Sequence, residues 1–322
     1  MIRSRRVSAL VWLVVLPCAV WAGLRVSGWT PVWQWVQLVA FTPYVAAASA
    51  LPLLVALGLR RWAAAALALV TVAVLATAVL PRHFGDTDQP AWQGRFRVLA
   101  ANLAVGAGDA DALMRLVRSL DPDVLALQEL TPDARERLEK AGLRERMPHV
   151  VDRAVAGVSG SGIYSRHPVT ERPMIELGRF RQARGVVRHP SGHEIEVVSV
   201  HPCAPRYDYK IPCWDEGLRA LPRAGGGLRV LAGDFNATLD HRQVRDLLDS
   251  GYRDVADVTG HGLTATWPQR GWSPVPGVTI DHVLADARMA VRAFGVHSLA
   301  NTDHRPVFAE LGLPAPPAAD PA

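Results

Sequence analysis

Between residues 7 and 80 the chain carries three charged side chains, Arg25, Arg60 and Arg61, and neither an acid nor a lysine. Such a run must be buried in something apolar, and a bilayer crossing takes about 20 mostly apolar residues. Three stretches are long enough, residues 7–24, 32–59 and 62–80, and a transmembrane helix is expected in each. The second is long and contains Pro43 and Pro52, which predicts tilting, kinking or a partly interfacial course. A cleaved signal peptide would account only for the first stretch, and no small-residue cleavage site follows it.

Arginine placement orients these segments. Arg3, Arg5 and Arg6 precede the first, Arg60 and Arg61 separate the second and third, and only Arg25 and Arg82 flank the other side. The positive-inside bias puts the N-terminus in the cytoplasm and everything after Arg82 outside it. Trp29, Trp33 and Trp35 fit an aromatic belt or interhelical packing. The expected organisation is a membrane anchor over residues 1–81, a juxtamembrane linker over 82–94, a catalytic domain over 95–313 and a low-complexity, disordered tail over 314–322.

The later part has soluble composition. The net charge of +5 suits an anionic partner, though solubility alone would give as much. The arginines of "GRFRQARGVVRH" either line a phosphate-binding surface or form a solvated edge. Cys203 and Cys213 bracket a Pro-containing loop. In an exported domain a bridge between them is expected, two separate thiols being the alternative. Zinc-site spacing is missing.

Periodicity predicts strands at "RFRVLAANLA", "DVLALQEL", "SGIYSRHPV", "LRVLAGDFNAT" and "GVTIDHVLAD", with a hairpin in "ARGVVRHPSGHEIEVVSVHP". Helices are predicted at "DADALMRLVRSL", "TPDARERLEKAGL" and "HRQVRDLLDSGY". Apolar strands repeatedly end or break on polar residues: Asn102, Glu129, His201, Asp234 with Asn236, Asp281, and Asp303 with His304. Any one could be a turn or a cap. Asp234 and Asn236, two apart, would face one spot if the strand continued.

Eight such residues in this order resemble the endonuclease/exonuclease/phosphatase superfamily, the fold of deoxyribonuclease I. The matching pieces are "LAANLA", "LALQEL", "SGIYSR", "VVSVHP", "LAGDFNAT", "TIDHVL" and "TDHRPV". The resemblance implies an α+β fold, a four-layer α/β/β/α sandwich, and the three preceding spans resemble membrane-anchored bacterial members. It implies Glu129 as principal metal ligand, helped by Asp303 and Asn102. His304, oriented by Asp281, would be the general base. His201 would contact the scissile phosphate, Asp234 would position water or handle the leaving-group proton, and Asn236 would hold a phosphate oxygen. How Asp234, His201 and His304 divide the proton work stays open.

The residue chemistry is consistent with that reading. An anionic ester repels hydroxide, so hydrolysis needs charge withdrawal and an aligned nucleophile. Carboxylates without thiolates suit Mg2+ or Mn2+. The expected activity is a membrane-anchored phosphodiesterase acting on nucleic acid or a phospholipid headgroup. A non-catalytic module binding an anionic partner is the alternative, and no obligate protein partner is evident. His282 should face away from Asp281 and be structural. His167, His189 and His193 are expected to be solvated, and Trp267 and Trp272 to pack on nearby prolines or meet a base or headgroup.

Overall fold

The computed structural model describes residues 2–86 and 88–315; the expected tail beyond residue 315 lies outside them. The uncharged region is helical: α1 (Ile2–Ser27), α2 (Trp33–Leu38), a 3-10 turn (Val39–Phe41), α3 (Thr42–Ala48), α4 (Ala50–Gly58), α5 (Trp62–Val79) and α6 (Pro81–Phe84). Three segments are long and apolar enough to cross a membrane: Arg5–Ser27, Trp33–Gly58 and Trp62–Phe84. The second is broken at the 3-10 turn, with Pro43 in the first turn of α3, where a missing N–H costs no intrahelical bond. Val11, Val15, Ala56, Ala64, Ala65 and Ala68 form the contact between the helices, small residues letting the backbones approach.

The remaining chain alternates strands and helices. In order come β1 (Arg95–Asn102), α7 (Ala110–Leu120), β2 (Val124–Gln128), α8 (Pro132–Lys140), α9 (Leu143–Arg146), β3 (His149–Arg153), β4 (Ser161–Ser165) and β5 (Val169–Glu171). Then follow β6 (Ile175–Leu177), β7 (Phe180–Gln182), β8 (Arg184–Arg188), β9 (Glu194–Val200), α10 (Ile211–Arg219) and β10 (Leu228–Asp234). The chain closes with α11 (Arg242–Asp249), β11 (Tyr252–Asp254), α12 (Val255–Val258), β12 (Asp281–Asp286), β13 (Ala290–Val296) and β14 (Val307–Gly312). Local signals set the helix starts. The side chains of Asp109 and Thr131 accept the backbone N–H of Ala112 and Ala134, caps that stabilise by about 1 kcal/mol each.

Two six-stranded mixed sheets face each other, ordered β13-β14-β1-β2-β4-β3 and β11-β12-β10-β9-β8-β5. Their inner faces share one core, including Val98, Ala100, Ala126, Val197, Val230, Ala232, Val283 and Ala309. The outer face of the first sheet carries Leu99, Leu125 and Leu127 against Leu113 and Val117 of α7 and Leu138 of α8. That of the second carries Val198, Leu231 and Leu284 against Trp214 and Leu218 of α10 and Val244 and Leu247 of α11. Both faces are covered, so the central strands read as unbroken apolar runs. The result is a four-layer α/β/β/α sandwich.

Anchor and sandwich are joined by more than the chain. The Arg82 guanidinium donates to both Asp240 carboxylate oxygens, at 2.8 and 2.7 Å, and Arg25 donates to Oδ1 at 2.9 Å. Val36 of α2 packs with the core beneath α10 and α11, and its carbonyl lies 2.7 Å from His241 Nε2. Cys203 and Cys213 are disulfide-bonded.

Candidate active site

Parity places the polar residues. On β1 the inward series Val98, Ala100 continues to Asn102; on β10, Val230 and Ala232 continue to Asp234; on β12, Val283 and Ala285 are preceded by Asp281. β1 and β2 are parallel, as are β9 and β10, while β14 and β12 run against them. The C-terminal ends of the first four therefore meet the starts of the last two. Asn102, Glu129, His201, Asp234, Asp281, Asp303 and His304 consequently gather at one end, between the sheets.

Their contacts are close. His304 Nδ1 lies 3.0 Å from Asp281 Oδ2 and 3.1 Å from Oδ1, and its Nε2 lies 3.7 Å from Asp234 Oδ2. His201 Nε2 stands 3.6 Å from the same Asp234 oxygen and 3.7 Å from Glu129 Oε1. Asn102 Nδ2 donates to Asp234 Oδ2 at 3.0 Å and reaches Glu129 Oε1 at 3.4 Å. Glu129 Oε2 accepts the Val105 N–H. The backbone amide of Asn236 donates to Asp234 Oδ1 at 2.8 Å, and its side-chain Nδ2 to the Pro202 carbonyl at 3.2 Å.

Asn102 Oδ1 accepts the fixed N–H donor of Ala104 at 2.9 Å, so Asn102 turns its NH2 toward the carboxylates. In this orientation Asn102 donates to both Glu129 and Asp234.

Burial and charge set the protonation states. Burial raises Glu129, and the Val105 N–H and His304 only partly offset it. Asp234 is raised by burial and by Asp281. Burial holds His201 low despite the nearby Asp234. Burial also opposes a charged His304, but Asp281 and Asp234 outweigh it and push the ring up to about 10. Burial works against the Asp303 carboxylate too, yet Trp267, His304 and Trp272 hold it below the usual range.

Those tryptophans, expected to pack on prolines or meet a base or headgroup, are turned instead toward Asp303. Trp267 Nε1 and Trp272 Nε1 both donate to Asp303 Oδ2, at 3.0 and 2.9 Å. Gln128 is the residue that sequence reasoning missed: its Nε2 donates to Ser199 Oγ at 2.9 Å, and Ser199 donates to the Leu127 carbonyl at 2.8 Å, tying the sheets beneath the site. Gly233 is needed where this bridge passes. Its φ is +144°, and a Cβ there would lie 2.4 Å from the Val200 carbonyl oxygen and 2.6 Å from Gln128 Nε2.

Elsewhere the sequence reading fares unevenly. His282 faces the helix layer as expected, with Nδ1 2.8 Å from Asp254 and Nε2 3.0 Å from the Ala237 carbonyl. His193, expected in solvent, is buried. At the far end of the sandwich, His167 lies 3.1 Å from Asp123, and with His189 they can bring three ligand atoms within 4.8 Å of one another. Within the arginine-rich stretch, Arg184 is committed to Glu196.

The donor set at the main site fits a cation. Glu129, Asp234, Asp281 and Asp303 present oxygens only, and burial pushes two of these acids, Glu129 and Asp234, above the usual carboxylate range despite the nearby His304. Asp234, Asp281 and His304 alone offer three ligand atoms within 4.8 Å.

A two-sheet sandwich with an acid- and histidine-lined end defines a deoxyribonuclease I-like protein. The sequence model of the Endonuclease/Exonuclease/phosphatase family matches residues 99–304, and the chain belongs to that family. Similar solved structures include an endonuclease/exonuclease/phosphatase from Beutenbergia cavernae (19% identity, TM-score 0.54, covering 70% of this chain and 74% of that one). A humanized D. rerio TDP2 shares 14% identity, with TM-score 0.55 and coverage of 68% and 99%. An AP endonuclease from Archaeoglobus fulgidus shares 17%, with TM-score 0.53 and coverage of 66% and 98%. At these identities the likeness shows the fold. No curated protein matches the sequence.

Proposed function

We propose that the chain is a membrane-anchored, divalent-cation-dependent phosphoric ester hydrolase, a phosphodiesterase acting by water attack. The observation carrying this reading is the His304–Asp281 pair set 3.7 Å from an Asp234 that also meets His201 and Asn102. Nucleic acid and phospholipid headgroup both satisfy the chemistry.

Glu129 and Asp303 would hold Mg2+ or Mn2+, whose positive charge would offset that of the ester and of the acids that keep His304 protonated. Asp281 fixes the His304 ring by its Nδ1 and leaves Nε2 to take a proton from the attacking water. Asp234 orients that water or passes a proton to the departing oxygen. His201 and Asn236 face the phosphate from the second sheet. Trp267 and Trp272 keep Asp303 ionised by donating to it.

Residues 1–81 form the anchor and 95–313 the catalytic domain. The arginine bias supports an extracytoplasmic domain, which a C-terminal reporter fusion tests: activity from a cytoplasm-specific reporter would reverse the topology. For the chemistry, the detergent-solubilised full chain is assayed on bis-p-nitrophenyl phosphate with Mn2+. Turnover lost with EDTA and in both Glu129→Ala and His304→Ala is expected. A folded, inert wild type that binds an anion as well as its Glu129→Ala variant would instead favour a non-catalytic binding module.

A further inference from the structure

The anchor reaches the rim of the site. Gln37 Nε2 donates to the carbonyls of Pro205, at 2.8 Å, and Arg206, at 3.2 Å. Tyr44 Oη donates to the Gly277 carbonyl at 2.7 Å. The first contact holds the loop that leaves His201; the second holds the loop carrying Trp267 and Trp272, the donors to Asp303. Two of the loops framing the site are thus fixed to the second apolar segment.

The height of these contacts follows from the helices. Trp21 Nε1 donates to Thr42 Oγ1 at 3.1 Å, Trp21 packs edge-on against Trp35, and Phe41 lies against Tyr44. Aromatic residues collected at one level mark a membrane–water boundary. From Thr42 to the end of α4 at Gly58 the helix runs about 26 Å at ~1.5 Å per residue, close to the ~30 Å hydrocarbon core. Tyr44, and with it the Gly277 loop, sits at that boundary.

The rim is built for the same layer. In Arg206–Lys210, Tyr207 and Tyr209 are 52% and 68% exposed, with parallel rings 5.5 Å apart. The Lys210 ammonium lies over Tyr209 and the Arg206 guanidinium over Trp272. Val275 is also exposed. Exposed tyrosines with flanking cations suit a headgroup region, whose surface is anionic. A nucleic acid would use separate aromatic faces for successive bases, whereas these two rings cover each other.

We infer that the mouth of the site opens onto the membrane holding the chain's own anchor, with Arg206–Lys210 seated among the headgroups, and that the substrate is the phosphodiester of a phospholipid. This rests on the hydrolase reading above. The bond broken is a P–O bond of the headgroup ester: water supplies the new oxygen, and the departing alcohol takes up a proton.

The test uses the full chain reconstituted into phosphatidylcholine–phosphatidylglycerol vesicles with Mn2+, offered bis-p-nitrophenyl phosphate and linear DNA in the same sample. Headgroup release from the vesicle lipid is expected. The Tyr207→Ser/Tyr209→Ser variant should lower the ratio of lipid to bis-p-nitrophenyl phosphate turnover at least tenfold. A ratio unchanged within twofold, or DNA cleavage with the lipid intact, would overturn the inference while leaving the hydrolase reading in place. A wild type inert on bis-p-nitrophenyl phosphate would overturn both. Independently of activity, a nitroxide at Val275→Cys, in a Cys18→Ala background, should be relaxed by oxygen and shielded from an aqueous nickel chelate. The reverse pattern would place the rim in bulk water and refute the docking.

Discussion

Replacing Asp240 with asparagine removes the carboxylate shared by Arg25 and Arg82, which stand at the ends of the first and third apolar segments. The Asp240 side chain is wholly buried and that of Arg82 is 6% exposed, so the variant leaves a guanidinium without its counter-charge where water cannot replace it. Breaking a buried pair from one side costs about 3–5 kcal/mol. For a domain of this size each kcal/mol shifts Tm by roughly 2–4 °C, so Asp240→Asn should lower it by about 6–20 °C in thermal unfolding followed by tryptophan fluorescence. The triple variant Arg25→Met/Arg82→Met/Asp240→Leu removes all three charges and should recover most of the loss, since apolar side chains of similar volume can replace a buried ion cluster at little cost. The pair also fixes a pH dependence. Burial opposes the Asp240 charge, but the two arginines hold its titration below the ordinary carboxylate value. Its stabilisation is therefore complete above pH ~4 and is lost as pH falls through the depressed native value, a step that Asp240→Asn should lack. A Tm change below about 2 °C with an unaltered acid limb would refute the reasoning.

Other perturbations probe the site. Asp281→Asn removes the largest influence raising His304, and the ring titration, about 10 in the metal-free protein, should fall by about 1–3 pH units in histidine NMR; an unmoved midpoint would assign the shift elsewhere. Gly233→Ala forces a Cβ against the Val200 carbonyl and Gln128, and urea unfolding should show a loss of about 1–3 kcal/mol or more; wild-type stability would mean the sheets part easily at this point. Trp272→Phe keeps the ring but deletes an N–H to Asp303, and Mn2+ affinity by EPR titration should weaken about 10- to 100-fold. Unchanged affinity would leave the tryptophan a purely structural neighbour.

What the sequence revealed was what repeats locally. The apolar runs, their polar ends and the parity of Asp281 against His282 follow from a two-residue period, and that period suffices to send Asn102, Asp234 and Asp281 into one cleft. The three apolar segments are legible because a run of membrane length without acids finds enough apolar surroundings almost nowhere but in a bilayer. The hidden features depend on partners far along the chain. Asp240 reads as an ordinary turn residue until Arg25 and Arg82 arrive, and Trp267 and Trp272 read as loop packing until Asp303 lies between their indoles. His193 looked solvated because a Pro-Ser-Gly turn precedes it; nothing local says that the β8–β9 hairpin end is covered. The orientation of Asn102 was equally out of reach, since the backbone N–H of Ala104 decides it.

The clamp at Asp240 makes the anchor and the sandwich lean together. The apolar stretch of α1, residues 7–24, makes about 27 Å of helix at ~1.5 Å per residue, close to the ~30 Å core. In a bilayer thinner than this stretch the helix would incline. A loosely tethered domain would ignore such a change. On the hydrolase and docking readings proposed above, a few degrees at the helices would swing the site nearer to the lipid surface or away from it, so acyl-chain length, which touches no site residue, would become a control on turnover.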